Sequence, residues 1–186
     1  EEAIDTGVSD ALGDDASILN PQGNVDEAPL DEAPAGSGAI FDENTSDTSN
    51  AIPADIEVGI DNGQLAPNFI TTTISGEETS LWDYHGQVVL LNFWYTTCGP
   101  CRVEMPEFEE AYQELGDEGF VVIAVNREEG PEAIIEFAEN EVGGLSFPLL
   151  LDEDGEIQDQ YNVLGYPTSL LLDRNGVVIY ENRGPI

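Results

Sequence analysis

Between Val88 and Leu115 the apolar residues change their period, and this change constrains the fold more than any other feature of the chain. Val88-Val89-Leu90-Leu91-Asn92-Phe93-Trp94 is an apolar run interrupted only by Asn92, as expected of a central strand buried on both faces. From Cys101 onward, Cys101, Met105, Phe108, Tyr112 and Leu115 recur at spacings of three and four, which lays one apolar stripe along a helix ending near Gly116. The two cysteines of the chain, Cys98 and Cys101, therefore fall where a strand becomes a helix.

The same reading predicts the neighbouring elements. Phe69–Ile74 is β-rich, Ser75–Glu77 turns, and Leu81–Tyr84 forms a helical turn that ends at His85-Gly86. Phe120–Val125 and Phe147–Leu151 read as further buried strands, separated by a helix over Pro131–Glu141 with proline in its first turn. After the Asp152–Gly155 turn come a short helix, Glu156–Tyr161, and a hairpin of Thr168–Leu172 with Val177–Tyr180 around Asp173-Arg174-Asn175-Gly176. Strands and helices that alternate and then finish antiparallel imply an α/β domain on a mixed sheet.

That domain is expected over 63–186. Residues 1–62 hold 16 of the 39 acids and none of the four bases, are rich in Gly, Pro, Ser and Asn, and repeat Asp-Glu-Ala-Pro at 26–29 and 31–34. Such a composition predicts a disordered acidic linker. Its reach is about 40–45 Å as a flexible chain, enough to tether a domain to a membrane; a plain acidic tail is the alternative. The chain begins at Glu1 without methionine, which suggests that an initiator, signal peptide or membrane anchor was removed, and its apolar runs are too short to span a bilayer.

A formal net charge of -35, with four arginines and no lysine, excludes a nucleic-acid partner and an anionic membrane surface. It suits a high-salt environment, where counterions screen the self-repulsion of the folded state. Two cysteines three positions apart cannot staple a mini-protein, and with a single histidine they fall short of a zinc ligand set, so no metal or other cofactor is expected.

What two such cysteines can do is exchange a disulfide. Gly99 and Pro100 favour the bend at a helix start that a pair so close requires. Cys98 at the N-cap meets unpaired N–H groups and the helix dipole, which stabilise a thiolate, so it is the candidate nucleophile. Cys101, one turn inside on the apolar stripe, is the candidate resolving thiol.

Ala66-Pro67-Asn68-Phe69, Leu90-Leu91-Asn92-Phe93-Trp94, Cys98-Gly99-Pro100-Cys101 and Gly165-Tyr166-Pro167-Thr168 together resemble the TlpA/ResA-type thioredoxin-like family of the AhpC/TSA-Redoxin superfamily. The likeness covers about residues 63–186. It implies a thioredoxin fold with an inserted strand–helix region over 131–151, and disulfide exchange with protein substrates outside the cytoplasm. It also implies an N-terminal anchor and a membrane electron donor of thiol type. A cis-proline facing the disulfide is carried onto Pro167, with Tyr166 offering backbone hydrogen bonds to a partner strand. Trp94, Gly99 and Pro100 are expected to complete the substrate-binding surface.

Thioredoxins place a buried aspartate where this chain has Asn92, which cannot titrate, so another group must move the protons. Glu104, three residues after Cys101 and matching a glutamate of ResA-like members, is the candidate; a solvated surface acid is the alternative. Pro106 reads as structural and His85 as a solvated loop residue. The stretch before Cys98, Tyr95-Thr96-Thr97, lacks the aromatic that the family usually places there, and the chain stops at Arg183-Gly184-Pro185-Ile186, where relatives continue into a final helix.

Two other activities of related folds fit less well. A thiol peroxidase needs a proline and a Thr or Ser seven and three residues before its cysteine, and this chain has Leu91 and Tyr95 there. A copper-carrying assembly factor needs cysteines spaced four apart and a later histidine, and no histidine follows Cys101. The sequence thus points to a protein-disulfide oxidoreductase working as a reductant, because Gly-Pro between the cysteines matches thioredoxin, a strong reductant.

Overall fold

A strand as apolar as Val88–Trp94 needs cover on both faces, and the computed structural model, described here for residues 55–186, supplies it. In chain order the elements are β1 (Ile70–Thr72), β2 (Glu78–Ser80), a 3-10 turn (Leu81–Tyr84), β3 (Val88–Trp94), α1 (Gly99–Leu115) and β4 (Phe120–Arg127). Then follow α2 (Pro131–Asn140), β5 (Leu149–Asp152), α3 (Glu156–Gln160), β6 (Thr168–Leu172) and β7 (Val178–Arg183). Residues 1–54, which hold most of the expected linker, lie outside the described residues.

Five strands form one sheet in the order β5-β4-β3-β6-β7, with β3 in the middle. β4 runs parallel to β3 in a register that pairs Leu91 with Ile123 and Trp94 with Asn126, while β6 runs antiparallel and pairs Asn92 with Ser169. Parallel neighbours cannot be joined by a tight turn, so α1 and α2 are the crossovers that return the chain between β3, β4 and β5. This is the mixed sheet of a thioredoxin fold, with α2 and β5 as the inserted region.

The alternation of β3 sorts the core into two layers. Val89, Leu91 and Phe93 join Val121, Ile123 and Val125 of β4 against Phe69, Ile157 and Tyr161. Trp94, with Val122 and Ala124, faces Cys101, Met105 and Phe108 of α1 and Ile134 and Phe137 of α2. Burying both faces accounts for an apolar run broken only at Asn92, and it leaves the carboxyl end of β3, where strands of such sheets present their sites, pointing into the turn that carries Cys98.

Two details depart from the sequence reading. The bonded backbone reaches back past Gly63: Leu65 donates to the Glu57 carbonyl at 2.9 Å, Gly59 to Leu65 at 2.9 Å, and Ile60 packs on the core. The acid-rich composition hides this segment because it is held through main-chain groups. β2 was not expected either, since Glu78-Thr79-Ser80 has no apolar alternation; it pairs with β1 as a separate two-stranded ribbon.

Leu91 is completely buried between the two sheet neighbours. Leu91→Ala is expected to lower stability by about 3 kcal/mol in chemical denaturation, from lost apolar burial plus the cavity left behind.

Candidate active site

Cys98 is the N-cap of α1, with an extended backbone (φ -72°, ψ 106°), and Gly99 and Pro100 open the helix. Its Sγ accepts the Cys101 N–H at 3.2 Å, so the sulfur takes one of the donors that a helix start leaves unpaired. Cys98 and Cys101 form a disulfide across Cα atoms 5.3 Å apart. Cys101 is fully buried and Cys98 is 3% exposed, while Gly99 and Pro100 between them are open to solvent.

The turn that delivers Cys98 is held from outside itself. Cys98 N–H closes it onto the Tyr95 carbonyl at 3.1 Å. Glu129, just beyond β4, accepts the Thr96 N–H at 2.7 Å, the Thr96 hydroxyl at 2.6 Å and the Asn126 amide at 2.8 Å. Arg102 on α1 donates to the Thr96 carbonyl at 3.5 Å, pairs with Glu141 and lies over the Phe137 ring. Sequence reasoning missed Glu129, Thr96 and Arg102, because an acid among 39 acids gives no local signal for a contact spanning 33 residues.

Glu104 is 2% exposed, which rules out a solvated surface acid. One carboxylate oxygen accepts the Ile186 N–H, and among the described residues the other has no partner. Burial pushes the carboxyl above its ordinary value of 4.5; the Ile186 hydrogen bond opposes this and the nearby Glu107 charge adds to it. Cys101 and Glu104, three residues apart on α1, are both buried under the same helix, with Met105 and Phe108. Asn92 is also fully buried and donates to the Ser169 hydroxyl at 2.9 Å.

The Tyr166–Pro167 peptide is cis. Tyr166 is fixed by its side chain: its ring meets Tyr95 edge-on at 5.3 Å, the Arg127 guanidinium lies 5.5 Å over it, and its hydroxyl donates to Gln158. Gln158 is fixed in turn, since both Asp152 carboxylate oxygens accept N–H groups of α3, from Ile157 at 3.0 Å and Gln158 at 2.9 Å. Among the described residues, the Tyr166 main-chain N–H and C=O have no partner.

Trp94 does not belong to the surface on which it was expected. It is fully buried against Phe137, with ring centroids 5.1 Å apart, because its place in the strand alternation turns it under α1 and α2. It supports the site from beneath. His85 is exposed beside Trp82, and among the described residues no group of three or more His, Cys, Asp or Glu is placed to hold a metal ion.

A disulfide at the head of a helix that follows the central strand of this mixed sheet defines a thioredoxin-fold protein with a redox-active Cys-x-x-Cys pair. Residues 62–181 match the AhpC/TSA family, and the chain belongs to it. It is 46% identical over 125 residues to the thioredoxin-like protein YneN of Bacillus subtilis, covering 66% of this chain and 71% of YneN. It is 40% identical over 122 residues to the thiol-disulfide oxidoreductase ResA of Bacillus thuringiensis subsp. konkukian, covering 66% and 69% of the two chains. The crystal structure of StoA from Bacillus subtilis superposes with a TM-score of 0.55 at 30% identity, over 64% of this chain and 90% of StoA.

The raised carboxyl of Glu104 carries a pH signature. The folded protein favours the protonated acid, so this contribution to stability is complete below about pH 4.5 and is lost as pH rises through the higher folded value. Glu104→Gln, which keeps an acceptor for the Ile186 N–H, is expected to be more stable than the parent at pH 7. Urea unfolding between pH 4 and 8 should show that advantage shrinking toward the acid end.

Proposed function

We propose that this thiol–disulfide oxidoreductase reduces protein disulfides outside the cytoplasm, with Cys98 attacking and Cys101 resolving. The observation that carries the reading is the asymmetry of the pair: Cys98 is the helix N-cap, flanked by the exposed Thr97, Gly99 and Pro100, and Cys101 lies inside the helix, fully buried. A thiolate at Cys98 is stabilised by the Cys101 N–H and the helix dipole.

In the reducing direction the Cys98 thiolate attacks one sulfur of a substrate disulfide. That S–S bond breaks, a mixed disulfide forms, and the first substrate thiolate leaves and takes up a proton. Cys101 then loses its proton and attacks the Cys98 sulfur, which expels the second substrate thiolate and closes Cys98–Cys101. Two electrons and two protons pass to the substrate, and an external dithiol restores the pair.

Glu104 takes the proton from Cys101. Its support is its burial one turn further along α1 and a carboxyl that burial raises above its ordinary value, the direction that favours taking up a proton. The substrate's extended strand pairs with the main-chain groups of Tyr166 beside Pro167, which have no partner among the described residues, and meets Gly99, Pro100 and the 81% exposed Leu164. The acidic residues before the bonded segment at Glu57 act as a charged tether, a reading that rests on their composition alone. The lysine-free surface adapts the domain to high salt on the same footing. The electron donor is a membrane thiol protein, as the family resemblance implies.

Insulin reduction driven by dithiothreitol tests the core of this reading. Cys98→Ser should abolish the catalysed rate, and Cys101→Ser should retain attack but trap the substrate as a mixed disulfide visible on a non-reducing gel. Catalysis that survives Cys98→Ser would sink the mechanism. For Glu104, the pH dependence of Cys98 alkylation should differ between the parent and Glu104→Gln; identical profiles would remove it from proton transfer.

A further inference from the structure

We infer that Glu129 is a positioning residue that sets the reactivity of Cys98 by holding the Tyr95–Cys98 turn through Thr96. The inference rests on the reading of Cys98 as the attacking thiol.

In a turn closed by Cys98 N–H on the Tyr95 carbonyl, the N–H of the second residue has no partner within the turn. Thr96 is half-buried, so this donor needs an acceptor from elsewhere. Glu129 reaches it because Glu128, directly after β4, takes a left-handed backbone (φ 51°) while its N–H stays bonded to the Asp152 carbonyl at 2.9 Å. That conformation is unfavourable for a side chain other than glycine or asparagine, and here it turns the chain so that the next residue faces the Cys98 turn.

The carboxylate then accepts three hydrogen bonds from two directions: the Thr96 N–H and hydroxyl from the turn, and the Asn126 amide from the last part of β4. Asn126 sits opposite Trp94 across the sheet, so the clamp ties the turn to the strand pair that it leaves. Bonds to an ionised acceptor are the stronger class, and three on one group fix position as well as distance. What they fix is where Cys98 begins α1. A looser turn lets the sulfur leave the N-cap, where it accepts the Cys101 N–H at 3.2 Å, and the thiolate loses that support.

Position and charge act in opposite directions here, which makes the inference testable. A negative Glu129 acting only as a charge would disfavour a neighbouring thiolate, so removing it would lower the Cys98 pKa. Loss of position raises it. Charged and titratable groups near the turn include Arg102 with its partner Glu141, Glu104 on α1, Arg127 and Glu128 at the end of β4, and Tyr95 and Tyr166; none of them is changed in the variants below.

The experiment follows the pH profile of alkylation by iodoacetamide in the full chain carrying Cys101→Ser, where Cys98 is the single thiol. Glu129→Ala should move the midpoint up by about one pH unit, toward the ordinary thiol value near 8.5. Glu129→Asp keeps the charge but cannot reach Thr96 and Asn126 together, and should also move it up. Glu129→Gln should stay within about 0.2 units of the parent: its amide oxygen can accept the Thr96 N–H and the Asn126 amide, and its nitrogen can donate to the Thr96 hydroxyl.

A downward or absent shift in Glu129→Ala, or an Asp variant equal to the parent, would overturn the inference in favour of a charge effect or none. Near-ultraviolet circular dichroism checks each fold, and if Glu129→Ala does not fold, the contrast between Asp and Gln decides. No turnover is measured, so a failure here is distinct from a failure of Cys98→Ser to abolish reduction.

Discussion

The hydrogen bond from the Cys101 N–H to the Cys98 sulfur, 3.2 Å long, is the contact on which the site turns. It exists because a helix start leaves N–H groups unpaired and because the chain places a cysteine, instead of the usual Ser, Asp or Asn, at the capping position. The cap is thus also one of the two sulfurs of the redox pair. The geometry that starts α1 also places a sulfur of the redox pair, so whatever holds the junction of β3 and α1 positions that sulfur as well.

Three supports converge on that junction. From below, β3 is locked in the middle of the sheet, with Leu91 and Phe93 in one layer of the core and Trp94 in the other. From β4, Glu129 holds the turn through Thr96, and from α1 itself Arg102 reaches the carbonyl of the same residue. Opposite them, the Tyr166–Pro167 loop is fixed by a relay in which Asp152 holds α3, Gln158 of α3 accepts the Tyr166 hydroxyl, and Tyr95 meets the Tyr166 ring. Among the described residues the main chain of Tyr166 has no partner, and its side chain makes the contacts that place the loop.

Local pattern was legible wherever periodicity and special residues coincided. The run 88–94, the stripe from Cys101 to Leu115 and the β6–β7 hairpin with its Asn175-Gly176 turn all emerged close to their expected bounds, since each is an apolar period bracketed by residues that stop it. β2 escaped because Glu78-Thr79-Ser80 is polar throughout, and the segment from Glu57 escaped because it joins the domain through main-chain bonds that composition does not encode. Trp94, expected at the substrate-binding surface, lies beneath the site instead: the sequence marks an aromatic near the cysteines, but which face of β3 it occupies depends on what packs there.

The sequence by itself determined that two cysteines three residues apart lie where a central strand becomes a helix, and hence that one is an N-cap and the other is shielded. Spacing and period suffice for that, because both residues belong to one local element. Only the tertiary structure decided what surrounds them: that Glu104 is buried and meets the Ile186 N–H, that Glu129 rather than any of its many acidic neighbours clamps Thr96, and that Tyr166 is held through Gln158. Those contacts join residues between 8 and 82 positions apart, and in a chain with 39 acids their partners are selected by the folding of the sheet rather than by any local motif.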